Sequence, residues 1–276
     1  MSALDNSRLG FIGSGVMAEA MINGLLRQEL VSAHAIIASD PRAERGRELA
    51  ERYGVRYTTD NAEAVCRAQV VVLSVKPQVL AHVLAGLHGR VQPEALVLSI
   101  VAGARIATIA KGLGHSRIVR VMPNTPAQIG EGMSVWMRTP EVGDEQQAQA
   151  REILRALGEE IVVDHEDYLD MATALSGTGP AYVFLFMEAL IDAGVHLGFS
   201  RRVAQQLVLQ TLRGAVAFAQ QSSLHPAELR NMVTSPGGTS AEALYQLEKG
   251  GLRTVLSRAV WAAYQKSRYL GGLTDE

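Results

Sequence analysis

The first half of the chain alternates short apolar, β-branched runs with segments of helical spacing. The apolar runs predict strands covered on both faces, as in parallel sheets, at residues 9–12, 35–38, 70–75, 96–101 and 118–121. The segments between them predict helices at 18–27, 43–53, 62–67, 79–86 and 106–113. Two further strands are predicted at 133–138 and 160–163, with a helix at 146–157 between them. This alternation predicts an α/β fold with a Rossmann-type, doubly wound and mostly parallel sheet.

The second half has a different pattern, because the β-branched runs stop near residue 165. Helices are predicted at 181–197, 201–220, 227–233, 240–249 and 253–270. The helix at 181–197 is apolar on nearly every face, so it belongs in a large core or in a subunit interface. We therefore predict a dinucleotide-binding domain at 1–164, an all-helical substrate and dimerisation domain at 165–276, and at least a dimer.

Composition narrows the classes of function. Charged residues make up 20% of the chain and the net charge is −2, so we expect neither a nucleic-acid nor an anionic membrane partner. The apolar stretch 181–187 is interrupted by Glu188 and Asp192, which makes it short for a bilayer span. No signal-peptide pattern precedes the first strand, and we expect a cytoplasmic protein. The single cysteine, Cys66, and seven scattered histidines predict no metal site.

A glycine fingerprint follows the first predicted strand. The segment Gly13-Ser14-Gly15-Val16-Met17-Ala18 has the form GxGxxA and leads into a helix. Gly13 permits a tight turn, Gly15 lets a pyrophosphate approach the backbone, and Ala18 lets helix and strand pack closely. The unpaired N–H groups of the first helical turn then hold phosphate oxygens. The segment predicts a bound dinucleotide.

The residues after the second strand bear on the choice of dinucleotide. Asp40 favours the free ribose of NADH, whereas Ser39 and Arg42 suit the 2′-phosphate of NADPH. Asp40 and the proline after it also fit plain turn chemistry. We expect NADPH, and NADH stays open.

Four further segments share a pattern with a known family. They are Val71-Val72-Leu73-Ser74-Val75-Lys76-Pro77-Gln78, Met122-Pro123-Asn124-Thr125-Pro126, Leu175-Ser176-Gly177-Thr178-Gly179-Pro180-Ala181-Tyr182 and Val233-Thr234-Ser235-Pro236-Gly237-Gly238-Thr239-Ser240. In order and spacing, over essentially the whole chain, they resemble the pyrroline-5-carboxylate reductase family. The Pro-Gly-Gly-Thr segment is the most specific of them.

The resemblance implies an activity and a set of site residues. The activity is hydride transfer from NAD(P)H to the C=N bond of 1-pyrroline-5-carboxylate, which gives L-proline. Implied cofactor contacts are residues 13–18, Asn61, Val75, Lys76 and Pro77, with Ala102 and Asn124 near the nicotinamide. Implied substrate contacts are Ser235, Pro236, Gly237, Gly238, Thr239 and Ser240, of which Thr239 and Ser240 are the catalytic candidates. The family forms interlocked dimers, often joined into a ring, in which this loop reaches the neighbouring subunit's cofactor.

The chemistry of a small cyclic imino acid fits these residues. Its carboxylate needs an anion site, which a glycine loop that opens a helix supplies through free N–H groups and the helix dipole. The imine is basic and can arrive already protonated, so a strong general acid is not obligatory, and positioning and electrostatics can carry most of the catalysis.

Two departures from the family pattern concern the site. Ser240 stands where the family has threonine, which keeps the hydroxyl but loses the methyl that restricts its rotamer. Ser223 stands where familiar members have an acid, two residues before His225-Pro226. This weakens the case for a carboxylate that aids proton delivery.

Alternative interpretations remain at this stage. A β-hydroxyacid dehydrogenase has a similar layout but uses a lysine in its helical domain, and residues 172–199 contain none. A non-catalytic dinucleotide-binding protein would not need two adjacent glycines at 237 and 238. Locally, Lys76 could simply follow a strand end, and Asn124 could form only an Asx-turn.

Overall fold

The computed structural model describes residues 2–5 and 7–273. Eight strands form one sheet in the order β3-β2-β1-β4-β5-β6-β7-β8. They are β1 Leu9–Ile12, β2 Ile36–Ser39, β3 Arg56–Thr58, β4 Val70–Leu73, β5 Leu96–Ser99, β6 Ile118–Met122, β7 Gly132–Arg138 and β8 Gly158–Val162. The order is that of a Rossmann-type sheet, which confirms the predicted fold class.

Strand direction separates the sheet into two parts. The six strands from β3 to β6 in the sheet order are parallel to one another. Strand β7 runs antiparallel to β6, and β8 runs parallel to β7. Along the parallel part, Ile12 is paired with Ser39 and with Leu73, and Leu73 with Ser99. The carboxyl ends of these strands therefore lie along one edge, where ligands bind in open α/β sheets.

The strands form where apolar residues can be buried on both faces of the sheet. Successive residues alternate between two hydrophobic clusters: Phe11 packs in one and Ile12 in the other, and Val72 and Leu73 do the same. All four are fully buried. This two-sided burial explains why the strands read as continuous apolar runs rather than as an alternating pattern.

Twelve helices accompany the strands in the described residues. They are α1 Val16–Arg27, α2 Ala43–Tyr53, α3 Asn61–Val65, α4 Pro77–Leu87, α5 Ile106–Leu113, α6 Asp144–Arg155, α7 Asp167–Ala172, α8 Gly179–His196, α9 Arg201–Gln221, α10 Pro226–Met232, α11 Thr239–Lys249 and α12 Leu252–Leu273. The predicted helices are confirmed, with ends displaced by three residues at most. Strand β3 and helix α7 were not predicted, because each is short and its polar residues give no periodic signal.

Compact packing divides the chain into two units. The first comprises the chain up to Thr178 together with the segment from Ala263 onward, and the second comprises Gly179–Ala262. The predicted boundary at 164/165 stays a prediction. In the first unit, many apolar side chains of the sheet and its helices are fully buried. In the second unit, Ala204 is the only fully buried apolar residue among those that the structure describes.

The second unit exposes a large apolar surface in the single chain. Phe184, Leu185 and Leu197 are 60%, 67% and 80% exposed. Within the described residues, the stretch Asp167–His196 is long and apolar enough to cross a membrane by length and composition alone, with an 18-residue window of mean hydropathy 1.4. Glu188 and Asp192, which interrupt the predicted apolar stretch 181–187, lie inside this longer stretch and do not bring it below that length. An apolar face of this size needs a covering partner.

Candidate active site

The turn between β1 and α1 has the geometry that the glycine fingerprint predicts. Gly13 has a φ of +91°, its N–H donates to the Ser39 carbonyl at 2.9 Å, and its own carbonyl accepts from Ser74 Oγ at 2.6 Å. A Cβ at Gly13 would lie 2.8 Å from the Ser74 carbonyl oxygen. Only glycine combines this conformation with this close approach.

Gly15 and the start of α1 leave an open anion-binding position. A Cβ at Gly15 would meet no atom within 4 Å, and no side chain caps the helix that it precedes. Val16 is exposed and Ala18 is fully buried, so the helix packs on the sheet while its first turn faces out. The uncapped N–H groups and the helix dipole suit a pyrophosphate.

The segment after β2 forms a hydrogen-bonded group around Asp40. Its Oδ2 accepts from the Ser14 N–H at 3.3 Å, and its Oδ1 accepts from Arg42 N at 3.0 Å and Nε at 3.1 Å. Burial raises the pKa of Asp40, but the bonds from Arg42 and Ser14 outweigh it and hold this pKa below its usual value. Ser39 Oγ donates to Asn61 Oδ1 at 2.7 Å. Both Asp40 oxygens are thus engaged by the protein, while the Arg42 side chain is 67% exposed.

A second charged group supports this loop and was missed at the sequence level. Arg45 on α2 donates from Nε to the Ser14 carbonyl at 2.8 Å and is bonded to Glu19 on α1. Glu19 also accepts from Arg52 at 2.8 Å and from the Tyr53 hydroxyl at 2.9 Å. These partners lie 26 to 34 residues from Glu19 in the chain, so no local pattern could indicate them.

The end of β4 supplies the next predicted contacts. Ser74 lies in one of the family-like segments, but no role was predicted for it. Its hydroxyl donates to the carbonyls of Ile12 and Gly13 and so links β4 to β1. Val75 is half-buried and Lys76 is exposed at the N-cap of α4, with Pro77 at its first position. Lys76 thus stands at the same sheet edge as the glycine turn.

Asn124, at the end of β6, is a bridging residue. Its Oδ1 accepts from the Met133 N–H at 2.9 Å, and its Nδ2 donates to the carbonyl and hydroxyl of Ser176 at 3.2 and 3.3 Å. Ser176 lies in a single turn of π-helix, Thr173–Gly177, a feature that often occurs at functional sites. The Asn124 side chain therefore holds Ser176 at the sheet edge, a role beyond the Asx-turn considered from sequence.

The loop at 233–238 in the second unit has its own anion-binding geometry. The Gly238 N–H donates to the Ser235 carbonyl at 3.0 Å and closes a four-residue turn. Pro236 is the second residue of this turn and Gly237, with a φ of +69°, is the third, which is the pattern of a type II turn. Gly238 then precedes α11 with no side-chain cap. The first-turn N–H groups, from Thr239 onward, are therefore open to a ligand.

The sheet order, the glycine turn and the uncapped α1 together define a protein of the dinucleotide-binding class. Two family models match: pyrroline-5-carboxylate reductase dimerisation over residues 166–270, and NADP oxidoreductase, coenzyme F420-dependent, over residues 8–103. The pyrroline-5-carboxylate reductases of Synechocystis and Pseudomonas aeruginosa are each 43% identical to the chain, over 96% and 97% of it and 98% of either relative.

Solved structures agree with this similarity. The pyrroline carboxylate reductase of Plasmodium falciparum with NADP bound has a TM-score of 0.88 at 33% identity, and that of Coxiella burnetii 0.87 at 37%; each match covers 96% of this chain and 98% of the other. The chain belongs to the pyrroline-5-carboxylate reductase family. The match to a dimerisation domain identifies the protein as a homo-oligomer.

Proposed function

We propose that the protein reduces the C=N bond of 1-pyrroline-5-carboxylate with NADPH and forms L-proline, the last step of proline biosynthesis. The observation that carries the proposal is a pair of bare glycine N-caps, Gly15 before α1 and Gly238 before α11. One suits the cofactor pyrophosphate and the other a substrate carboxylate. Family membership supports this reaction over hydroxyacid oxidation and over binding without turnover.

The loop from Ser235 to Ser240 holds the substrate carboxylate. Backbone N–H groups at the start of α11 donate to its oxygens, and the helix dipole adds a positive potential without Arg or Lys. Gly237 and Gly238 keep side chains out of this space. The ring then lies against the hydroxyl groups of Thr239 and Ser240.

When bound, NADPH supplies the hydride that forms a C–H bond at the imine carbon. The electron pair of the C=N bond goes to the ring nitrogen, which carries or takes up a proton and becomes the amine of proline. The Ser240 hydroxyl orients that nitrogen by a hydrogen bond. Since Ser223 replaces the acid of familiar members, proton delivery does not depend on a carboxylate there, and positioning carries the catalysis.

NADPH is the preferred cofactor, and NADH binds more weakly. Both oxygens of Asp40 accept hydrogen bonds within the protein, so this carboxylate is not free for a ribose 2′-hydroxyl. The exposed Arg42 guanidinium partly neutralises Asp40 and can turn toward a 2′-phosphate, with Ser39 and Asn61 beside it. The NADP in the Plasmodium falciparum relative supports this choice.

The assembly is a dimer that associates further into a ring of dimers in the cytoplasm, with no nucleic-acid or membrane partner. The apolar face of α8 packs against a second copy, since the dimerisation match includes this helix. The loop at 235–240 then completes the site on the neighbouring subunit's cofactor.

Oxidation of NADPH and of NADH with pyrroline-5-carboxylate tests the proposal, with Gly238→Val as the variant. Gly143→Val is the control for backbone conformation, since Gly143 is also an N-cap with φ −74° and ψ 175°, against −81° and 169° at Gly238. A Cβ at Gly238 also presses on the Ser235 side chain, whereas one at Gly143 meets no atom within 4 Å, so the unfolding midpoint of both variants is measured as well. We expect turnover by the wild type and the control, and cofactor binding without turnover by Gly238→Val. Cofactor binding without imine reduction by the wild type would refute the function.

A further inference from the structure

The end of helix α12 belongs to the dinucleotide-binding unit. The segment from Ala263 onward packs in the same compact unit as the sheet. There its backbone meets the turn that connects β5 to α5. None of the cofactor or substrate contacts proposed so far lies in this segment.

The contact between helix and turn is made by backbone atoms. A Cβ at Gly271 would lie 3.3 Å from the Gly103 carbonyl oxygen, and a Cβ at Gly103 would lie 3.3 Å from the Gly271 nitrogen. No side chain separates the two segments, so a displacement of one is transmitted to the other without a flexible group to absorb it.

A buried polar network holds the same helix to the sheet. Ser267 on α12 donates to Asp170 Oδ1 at 2.7 Å, and Arg120 on β6 lies 4.0 Å from that oxygen and donates to Glu166 Oε1 at 2.6 Å. The side chains of Asp170 and Arg120 are 3% and 5% exposed. Hydrogen bonds that involve charged groups away from water are strong and geometrically specific.

The network also reaches the turn itself. Glu166 Oε1 accepts from the Ile106 N–H at 2.8 Å, at the first residue of α5 and directly after the turn. Within the turn, the Ala104 N–H donates to the Val101 carbonyl, and Ala102 is exposed at its tip. The turn is thus in contact with α12 at Gly103, and the residue that follows the turn is hydrogen-bonded to Glu166.

We propose that Gly271 is a positioning residue for hydride transfer, on a helix that the Ser267–Asp170 hydrogen bond holds to the sheet. Ala102 forms a floor for the nicotinamide ring, and the last turns of α12 set the position of that floor through the Gly103–Gly271 contact. The inference rests on the proposed function, since it requires the nicotinamide to lie over Ala102. Small displacements of a reactant ring lower the rate of transfer far more than they lower affinity.

Two valine substitutions in the same turn of helix test the proposal. Gly271→Val pushes on Gly103, whereas a Cβ at Gly272 meets no atom within 4 Å. Both variants carry the same glycine-to-valine change in helix propensity. The measurements are kcat, the NADPH Kd, the deuterium isotope effect with NADPH labelled at the transferred position, and the emission of bound NADPH. Oligomeric state is measured for both variants.

We expect Gly271→Val to lower kcat by about tenfold or more, to raise the isotope effect, and to leave the NADPH Kd within about threefold. Gly272→Val should match the wild type in all four measurements. Gly271→Ala adds a smaller side chain, so its kcat and isotope effect should lie between those of the two valine variants. If Gly271→Val does not fold, Gly271→Ala is compared with Gly272→Val instead.

Equal kcat and isotope effect in the 271 and 272 variants would overturn the inference while leaving the proposed function intact. If the wild type reduces no imine, the proposed function fails instead. The emission of bound NADPH then decides the inference separately, because a displaced nicotinamide floor changes it in the 271 variants and not in Gly272→Val.

Discussion

Substitution of Gly15 by valine separates cofactor binding from folding. The backbone at Gly15, φ −71° and ψ −175°, is extended and open to any residue, and the space around its Cβ is empty. The valine side chain therefore fits the folded protein. It occupies the space through which a pyrophosphate reaches the first turn of α1.

The size of the effect follows from the contacts that are lost. A hydrogen bond from a backbone N–H to a charged group contributes about 1.5–3 kcal/mol. If the side chain holds the phosphate away from two such groups, binding weakens by about 3 kcal/mol at the low end, or about a hundredfold in Kd. Loss of the close approach to the helix dipole adds about 0.3–1 kcal/mol.

The assay combines NADPH titration, followed by nicotinamide fluorescence, with thermal unfolding in the absence of cofactor. Gly143→Val is the control, because Gly143 is an exposed N-cap at another sheet edge with nothing within 4 Å of its Cβ. Gly13→Ala gives the opposite pattern: its φ of +91° and the 2.8 Å approach to Ser74 lower the unfolding midpoint even without cofactor.

Two results would refute this reasoning. A wild-type Kd for NADPH in Gly15→Val would mean that the pyrophosphate does not approach α1. An unfolding midpoint lowered well below that of Gly143→Val would mean that Gly15 is needed for the fold, and that weak binding reports instability.

Two further predictions concern the substrate hydroxyl and acid stability. Ser240→Thr should raise kcat/KM by up to about threefold, because the methyl removes unproductive choices among three staggered rotamers; steady-state kinetics that show a fall would place the hydroxyl away from the imine. Burial raises the pKa of Glu19, but hydrogen bonds from Arg45 and Tyr53 outweigh it and hold this pKa below 4.5. A depressed carboxylate pKa stabilises the fold above the unfolded value and loses this effect as pH falls through the folded value. The unfolding-midpoint difference between wild type and Glu19→Gln should therefore be full at pH 6 and shrink below about pH 4; a difference independent of pH would contradict the ion pair.

The sequence by itself determined the parts that local patterns encode. Strands buried on both faces must be apolar throughout, so Leu9–Ile12 and Val70–Leu73 could be read directly. The glycine turn could be predicted equally well, because the GxGxxA fingerprint, the strand before it and the helix after it are adjacent in the chain; the close approach of Ser74 to Gly13 is a tertiary contact. The starts of α9 and α10 are also explained by local chemistry, because the Ser200 side chain caps α9 and Pro226 occupies the first position of α10, where no N–H is needed.

Only the tertiary structure decided the contacts between residues far apart in the chain. Arg45 reaches Glu19 across 26 residues, and Ser267 reaches Asp170 across 97; neither spacing has a periodic signature. The reversed direction of β7 and the short edge strand β3 depend on neighbouring strands rather than on their own residues. Burial of a polar side chain is favourable only once its partner is in place, and folding alone brings these partners together.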